Sequence, residues 1–187
     1  ALVGGSFNTA LGRNALTALG NNETNNIGIG VNAMGACDEG SGSGNQIDNN
    51  IAIGVETLTG ADFGSTGSRV LNANIAIGGD ALNSTGTNSQ TGTIAIGFGS
   101  LTALTSGASN VAVGYNSAKG ITTGAENVVL GFEALFTANG GESDNVVIGK
   151  HAGYYIDNDS ADGNIIIGKG AGQGGTGDLS SCIVIGA

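Results

Sequence analysis

The sequence predicts an all-β chain wound as a parallel β-solenoid, and three observations predict it. A run of the form Asn-[Ile/Val]-x-[Ile/Val/Leu]-Gly recurs, as NIAIGV at 50–55, NIAIGG at 74–79, NVAVGY at 110–115, NVVLGF at 127–132, NVVIGK at 145–150 and NIIIGK at 164–169. The glycines that close these runs return at a nearly constant interval. The composition supplies short strands and turns and little else: 37 of 187 residues are Gly, 40% are hydrophobic, 11% are charged, and Pro and Trp are absent. Glycine at this level without a Gly-X-Y period or Pro excludes a collagen helix. The clustering of apolar residues into short runs excludes a disordered tract.

Ten closing glycines anchor the repeat: Gly12, Gly30, Gly54, Gly78, Gly97, Gly114, Gly131, Gly149, Gly168 and Gly186. Their spacings are 18, 24, 24, 19, 17, 17, 18, 19 and 18 residues. The basic unit is therefore 17–19 residues, and two units carry insertions, near 36–49 and 59–72, within a single β-solenoid repeat domain spanning 1–187. A unit of this size cannot bury its own apolar side, but stacked copies can. With strands ~4.8 Å apart, ten coils make a rod about 48 Å long.

Each position in the unit has its own chemistry. The residues three and one before the glycine are β-branched or Leu nearly throughout, as in Ile51 and Ile53, Val111 and Val113, and Ile165 and Ile167. They share one strand face, and an inward-facing column suits them. Asn stands four before the glycine in eight of ten units, where a residue tolerant of left-handed backbone suits a corner. After the glycine, RNAL, VETL, GDAL, FGSL and FEAL give a second, shorter inward segment ending in Leu.

If the Ile/Val pairs face inward, the residue between them faces out. That residue is Ala10, Gly28, Ala52, Ala76, Ala95, Ala112, Val129, Val147, Ile166 and Val184, and none of the ten is polar. A solvated strand face should show Ser, Thr, Lys or Glu instead. These ten residues are therefore the expected oligomer interface, with three copies packed about a common axis, since large apolar stripes mark assembly surfaces. The change from Ala to Val and Ile after Gly114 is expected to set the rods slightly farther apart towards that end.

The rungs resemble known tandem repeats. N-x-[IV]-A-[IV]-G-x-x-A is similar to the head repeats of trimeric autotransporter adhesins, and NVAVGYNSA at 110–118 and FNTALGRNAL at 7–16 resemble the repeats of bacteriophage tail fibres. The resemblance covers almost the whole chain. It implies a left-handed parallel β-roll, three chains per rod, and a role in attachment to a surface.

Several other motifs admit a functional and a simpler structural reading. Asp157, Asp159 and Asp162 in DNDSADG are candidate ligands for Ca2+, but the spacing departs from an EF-hand loop and a solvated turn is the simpler reading. Phe98, Tyr115 and Phe132 follow the glycine in three successive units and should stack as a ladder, as corner packing or as a carbohydrate contact. GAGQGG at 170–175 fits G-x-G-x-x-G but precedes another turn and rung, not a helix, so it is not a phosphate site. His151, the one histidine, has no metal-ligating or nucleophilic neighbour in sequence. Cys37 and Cys182 lie eight units apart, roughly 38 Å, too far for an intrachain disulfide. Both are expected as free thiols, with a bond between rods stacked end to end as the sharper alternative.

The charge balance narrows the partners. Net charge is −10 and the five basic residues form no patch, which argues against nucleic acid. No apolar run is long enough for a membrane span. The expected function is a structural or adhesive segment of an extracellular, cell-surface or virion fibre, not an enzyme, with loops such as the insertions presenting a contact for a surface glycan or protein receptor. A head-to-tail extracellular filament subunit and a glycan depolymerase are the alternatives.

Overall fold

The computed structural model of the chain describes residues 5–20, 22–38, 44–60, 68–86, 88–156, 161–173 and 179–186. Among these residues there are short strands and turns and no helix. In chain order the strands are β1 (Thr9–Leu11), β2 (Ile27–Ile29), β3 (Gln46–Asp48), β4 (Ile51–Ile53), β5 (Val70–Asn72), β6 (Ile75–Ile77), β7 (Gln90–Thr91), β8 (Ile94–Ile96), β9 (Val111–Val113), β10 (Val128–Leu130), β11 (Val146–Ile148), β12 (Ile165–Ile167) and β13 (Ile183–Ile185).

Ten of them stack in one parallel sheet, in the order β1-β2-β4-β6-β8-β9-β10-β11-β12-β13. The register repeats without a slip, so that Ala52 lies beside Ala76 and Val129 beside Val147. This is a β-solenoid, as the repeat predicts. A second parallel sheet, β3-β5-β7, was not expected. Two of its strands fall inside the insertions and are written QID and VLN, with Ile47 and Leu71 turned inward and fully buried. The extra length of the longer coils thus builds a second wall, and is not loop throughout.

The two faces of the main strands are the reverse of the expectation. Gly28, Ala52, Ala76, Ala95, Ala112, Val129, Val147 and Ile166 are buried inside the single chain. Of the other two residues expected at the interface, Ala10 is exposed and Val184 is half-buried on the end strands. The Ile and Val residues on either side face outward and are half-buried or exposed. The cause is the narrowness of the coil. Leu16, Met34, Leu58, Leu82 and Leu101 fill it from the opposite wall and are all buried, as the second inward segment predicts. In the coils up to Ala112 that leaves room for only a hydrogen or a methyl group at the strand centre, and the branched residues on either side point away. The shift to Val and Ile towards the C-terminal end therefore reports interior volume, not the distance between rods.

The repeated Asn is also inside. Asn26, Asn50, Asn74, Asn110, Asn127, Asn145 and Asn164 are buried and form a ladder along the rod. Within it the side-chain oxygen of one Asn accepts both the backbone N–H and the side-chain N–H of the next; Asn127 to Asn110 measures 3.0 and 2.9 Å, Asn145 to Asn127 3.1 and 3.1 Å. The second side-chain N–H donates to a backbone carbonyl in the next coil, as from Asn127 to Glu142 at 2.7 Å. The left-handed residue at this corner is instead the one before, as at Asn25, Asn49, Ser109 and Asp144.

The closing glycines are required twice over. Gly30 has φ +133°, open to few other residues, and a β-carbon there would stand 2.2 Å from the carbonyl oxygen of Gly54 in the next coil. Only glycine lets backbones approach this closely, and the same contact recurs at the closing glycines from Gly12 to Gly168.

Candidate functional site

Among the described residues, the outward face of the ten-stranded sheet is left half-buried to exposed along its whole length. It carries two parallel columns. One runs Thr9, Ile27, Ile51, Ile75, Ile94, Val111, Val128, Val146, Ile165 and Ile183; the other runs Leu11, Ile29, Ile53, Ile77, Ile96, Val113, Leu130, Ile148, Ile167 and Ile185. Thr9 is the one polar member. Most of these side chains are half-covered by their neighbours above and below, while Leu11, Ile183 and Ile185 on the end strands are 66, 70 and 72% exposed. The strands hold this face flat and in register, so it presents a continuous aliphatic strip to whatever lies beside it.

No protein-family model, curated protein or solved structure matches this chain.

One corner of the rod gathers most of the aromatic residues. Phe98, Tyr115 and Phe132 stack as the spacing predicts, with ring centroids 5.6 and 5.3 Å apart and planes within 15°. The Lys150 ammonium lies 5.3 Å from the Phe132 centroid and caps the column. At the other end Phe98 covers Gly79, where a β-carbon would meet its ring at 3.3 Å. The ring faces are thus turned on one another, and their edges are left outward. A sugar ring binds an aromatic residue through its face, so the ladder as built is corner packing first.

A second set of rings adjoins the ladder. His151 lies 5.6 Å from Phe132 and 5.3 Å from Tyr154, and Tyr154 stacks on Phe136 at 5.0 Å. Nε2 of His151 stands 3.2 Å from Oε2 of Glu133, out of line for a directed hydrogen bond, so the two form an ion-pair contact when the ring is protonated. Burial, with the Glu133 carboxylate and the Tyr155 phenol nearby, pushes the Tyr154 phenol above its ordinary value of 10.0. Sequence reading saw His151 alone. Glu133 occupies the same repeat position one coil earlier, two residues after the glycine, and that signal was available.

The remaining candidates are dispersed. Asp157 and Asp159 lie outside the described residues; Asp162 accepts the Ser143 backbone N–H at 2.7 Å. Among the described residues no three His, Cys, Asp or Glu side chains come together as metal ligands. The Cys37 thiol is fully buried and donates to the Leu58 carbonyl oxygen at 3.1 Å. It therefore cannot meet Cys182 of a second rod while this coil is intact, which removes the covalent end-to-end link. Parts of the insertions, 39–43 and 61–67, and of the 153–164 loop, 157–160, lie outside the described residues. Among the described residues no helix is long and apolar enough to cross a membrane.

Proposed function

We propose that the chain is a rigid structural and adhesive segment of an extracellular fibre, on a virion or a cell surface, in which three copies pack along a common axis. The single observation that carries this reading is the outward face of the main sheet. Two aliphatic columns ten strands long are held in register, and among the described residues their side chains are left half-buried to exposed. Leaving such a strip in water is costly, and a second identical strip is its natural complement. The face is only one strand triplet wide, which suits a narrow seam shared by three rods better than a broad two-sheet sandwich. The reading agrees with the left-handed β-roll and three chains per rod that the resemblance to tail-fibre and adhesin-head repeats implies. Recognition of a receptor then belongs to the corners and longer coils, which a stiff scaffold displays at fixed spacing.

Replacing Ile77 and Ile96 together by Lys tests the seam. Both face outward on adjacent strands, so the coil interior is untouched. The wild-type chain is expected to sediment as a trimer and the double variant as a folded monomer with the same β-sheet circular dichroism. A variant that remains trimeric removes the face from the assembly.

A further inference from the structure

We propose that an open groove on the first three coils is a glycan subsite that takes one uncharged sugar ring through a pair of neighbouring hydroxyls. The groove has a volume of about 380 Å³, within the roughly 300–1,000 Å³ range of small-molecule sites. Three successive coils build it from the same two repeat positions, with Ala36 beside them. The residue two after the closing glycine supplies Asn14, Asn32 and Glu56, and the residue five after it supplies Thr17, Gly35 and Thr59.

The chemistry of this lining selects the ligand class. Among the described residues the lining holds no cation and no aromatic ring, and its one charge is the Glu56 carboxylate. An anion is repelled there, and a hard cation finds too few charged oxygens. What the groove does hold is unspent hydrogen-bonding capacity of both kinds. Asn14 Nδ2 donates to Asn32 Oδ1 at 3.1 Å, which orients both amides and leaves Asn14 Oδ1 as an acceptor and Asn32 Nδ2 as a donor. Among the described residues, no side chain or backbone group bonds the Glu56 carboxylate. Its counterparts in the same column are engaged: Asp80 accepts from Asn83 Nδ2 at 3.3 Å, and Glu133 contacts His151.

The lining is also fixed before any ligand arrives. The backbone N–H of Asn32 donates to the Arg13 carbonyl oxygen at 2.9 Å and that of Glu56 to the Val31 carbonyl oxygen at 2.9 Å, so the three polar groups stand one coil apart on paired backbone. The Thr17 hydroxyl donates to the Gly35 carbonyl oxygen at 3.1 Å, and the Thr59 hydroxyl to Asn83. An acceptor, a donor and a carboxylate spaced by the coil repeat of ~4.8 Å match a vicinal diol, each hydroxyl of which both donates and accepts. Preorganisation of this kind lowers the entropic cost of a weak, shallow contact, and repetition along a multi-copy fibre raises its effect through avidity.

Saturation-transfer NMR on the full chain tests the site, with methyl β-D-galactoside, methyl α-D-mannoside and N-acetylglucosamine as probes. Transfer to at least one of the three is expected, with affinity falling about tenfold or more in both the Glu56→Gln and the Asn32→Ala proteins, since each loses a hydrogen bond to the ligand. Glu56 is exposed, so Glu56→Gln should leave the melting temperature unmoved, while Asn32→Ala, at φ +58° and without the bond from Asn14, should lower it by a few degrees and still fold. Absence of transfer to all three sugars overturns the proposal. So does transfer that both variants retain, which places sugar binding elsewhere on the rod. A melting temperature raised by Ca2+ in the wild type but not in Glu56→Gln makes the groove an ion site and overturns it too. None of these outcomes bears on the trimer, because the groove residues are not those of the Ile/Val face.

Discussion

A β-carbon placed on Gly28 would stand 2.7 Å from Cδ2 of Leu16, the residue that faces it from the preceding coil. The pair states a rule for the whole interior. Where the residue four after the glycine is Leu, the strand centre of the next coil is Gly or Ala, as in Leu58 with Ala76, Leu82 with Ala95 and Leu101 with Ala112. Where that residue is small, the strand centre is large: Ala118 precedes Val129, and Gly153 precedes Ile166. Leu135 with Val147 is the one pair that breaks it. A hypothetical β-carbon on Gly153 would lie 3.6 Å from Cδ1 of Ile166, so the two share one volume.

Swapping the sizes tests that rule. Ile166→Ala should cost about 3 kcal/mol through the cavity it opens, and Gly153→Leu alone about 1–3 kcal/mol through overpacking. Combined, they should cost clearly less than the two together, because the new Leu enters the new cavity. The backbone permits it: Gly153 has φ +60°, and Leu16, Leu58, Leu82 and Leu101 occupy the same repeat position at φ +51° to +54°. Chemical denaturation of the four proteins gives the coupling; strict additivity contradicts the pairing.

The Asn ladder makes a second prediction. Asn127→Ala removes the acceptor of the Asn145 backbone and side-chain N–H groups and the donor to the Glu142 carbonyl oxygen, all within the buried interior. Stranding such groups should cost about 3 kcal/mol or more. Thr93 interrupts the ladder: its backbone N–H still bonds Asn74, but its hydroxyl is buried without a partner. Thr93→Asn should therefore stabilise the chain by about 1 kcal/mol, read as slower hydrogen exchange in β8 and β9 and a higher denaturation midpoint.

Tyr154 predicts a loss of stability at alkaline pH. Its folded pKa lies above the unfolded value of 10.0, so the folded chain holds the phenolic proton more tightly. The corresponding stabilisation is whole below pH 10 and drains away as pH rises through the folded pKa. Difference absorbance of tyrosinate, with Tyr154→Phe to assign the transition, measures it. Burial is the leading cause and the Glu133 charge the next, so Glu133→Gln should bring the transition down part of the way towards 10.0. An unmoved transition removes Glu133 from the account.

The coil repeat, the parallel stack, the inward Leu segment and the aromatic ladder were legible in the sequence because each depends on spacing alone. Which strand face points inward was not. In Ile-Ala-Ile both faces are apolar, so alternation has no polar partner to mark the outside, and hydrophobicity favours the wrong choice. The deciding signal is size. Leu58 and Ala76 must share a narrow coil, and reading the two positions together would have turned Ile75 and Ile77 outward. Asn50 and Asn74 suit a corner by residue type alone, but an amide recurring at one place in eight of ten coils is also the mark of a ladder along a stack. Strands β3 and β5 were hidden because three residues between turns carry too little pattern to separate from a loop.

Sedimentation equilibrium of the intact chain tests the central claim most directly, that the aliphatic face of Ile51, Ile53, Ile75, Ile77 and their neighbours is a seam between rods. The account predicts a species of three times the 18.0 kDa chain mass that holds together on dilution. A stable, folded 18.0 kDa monomer would contradict it.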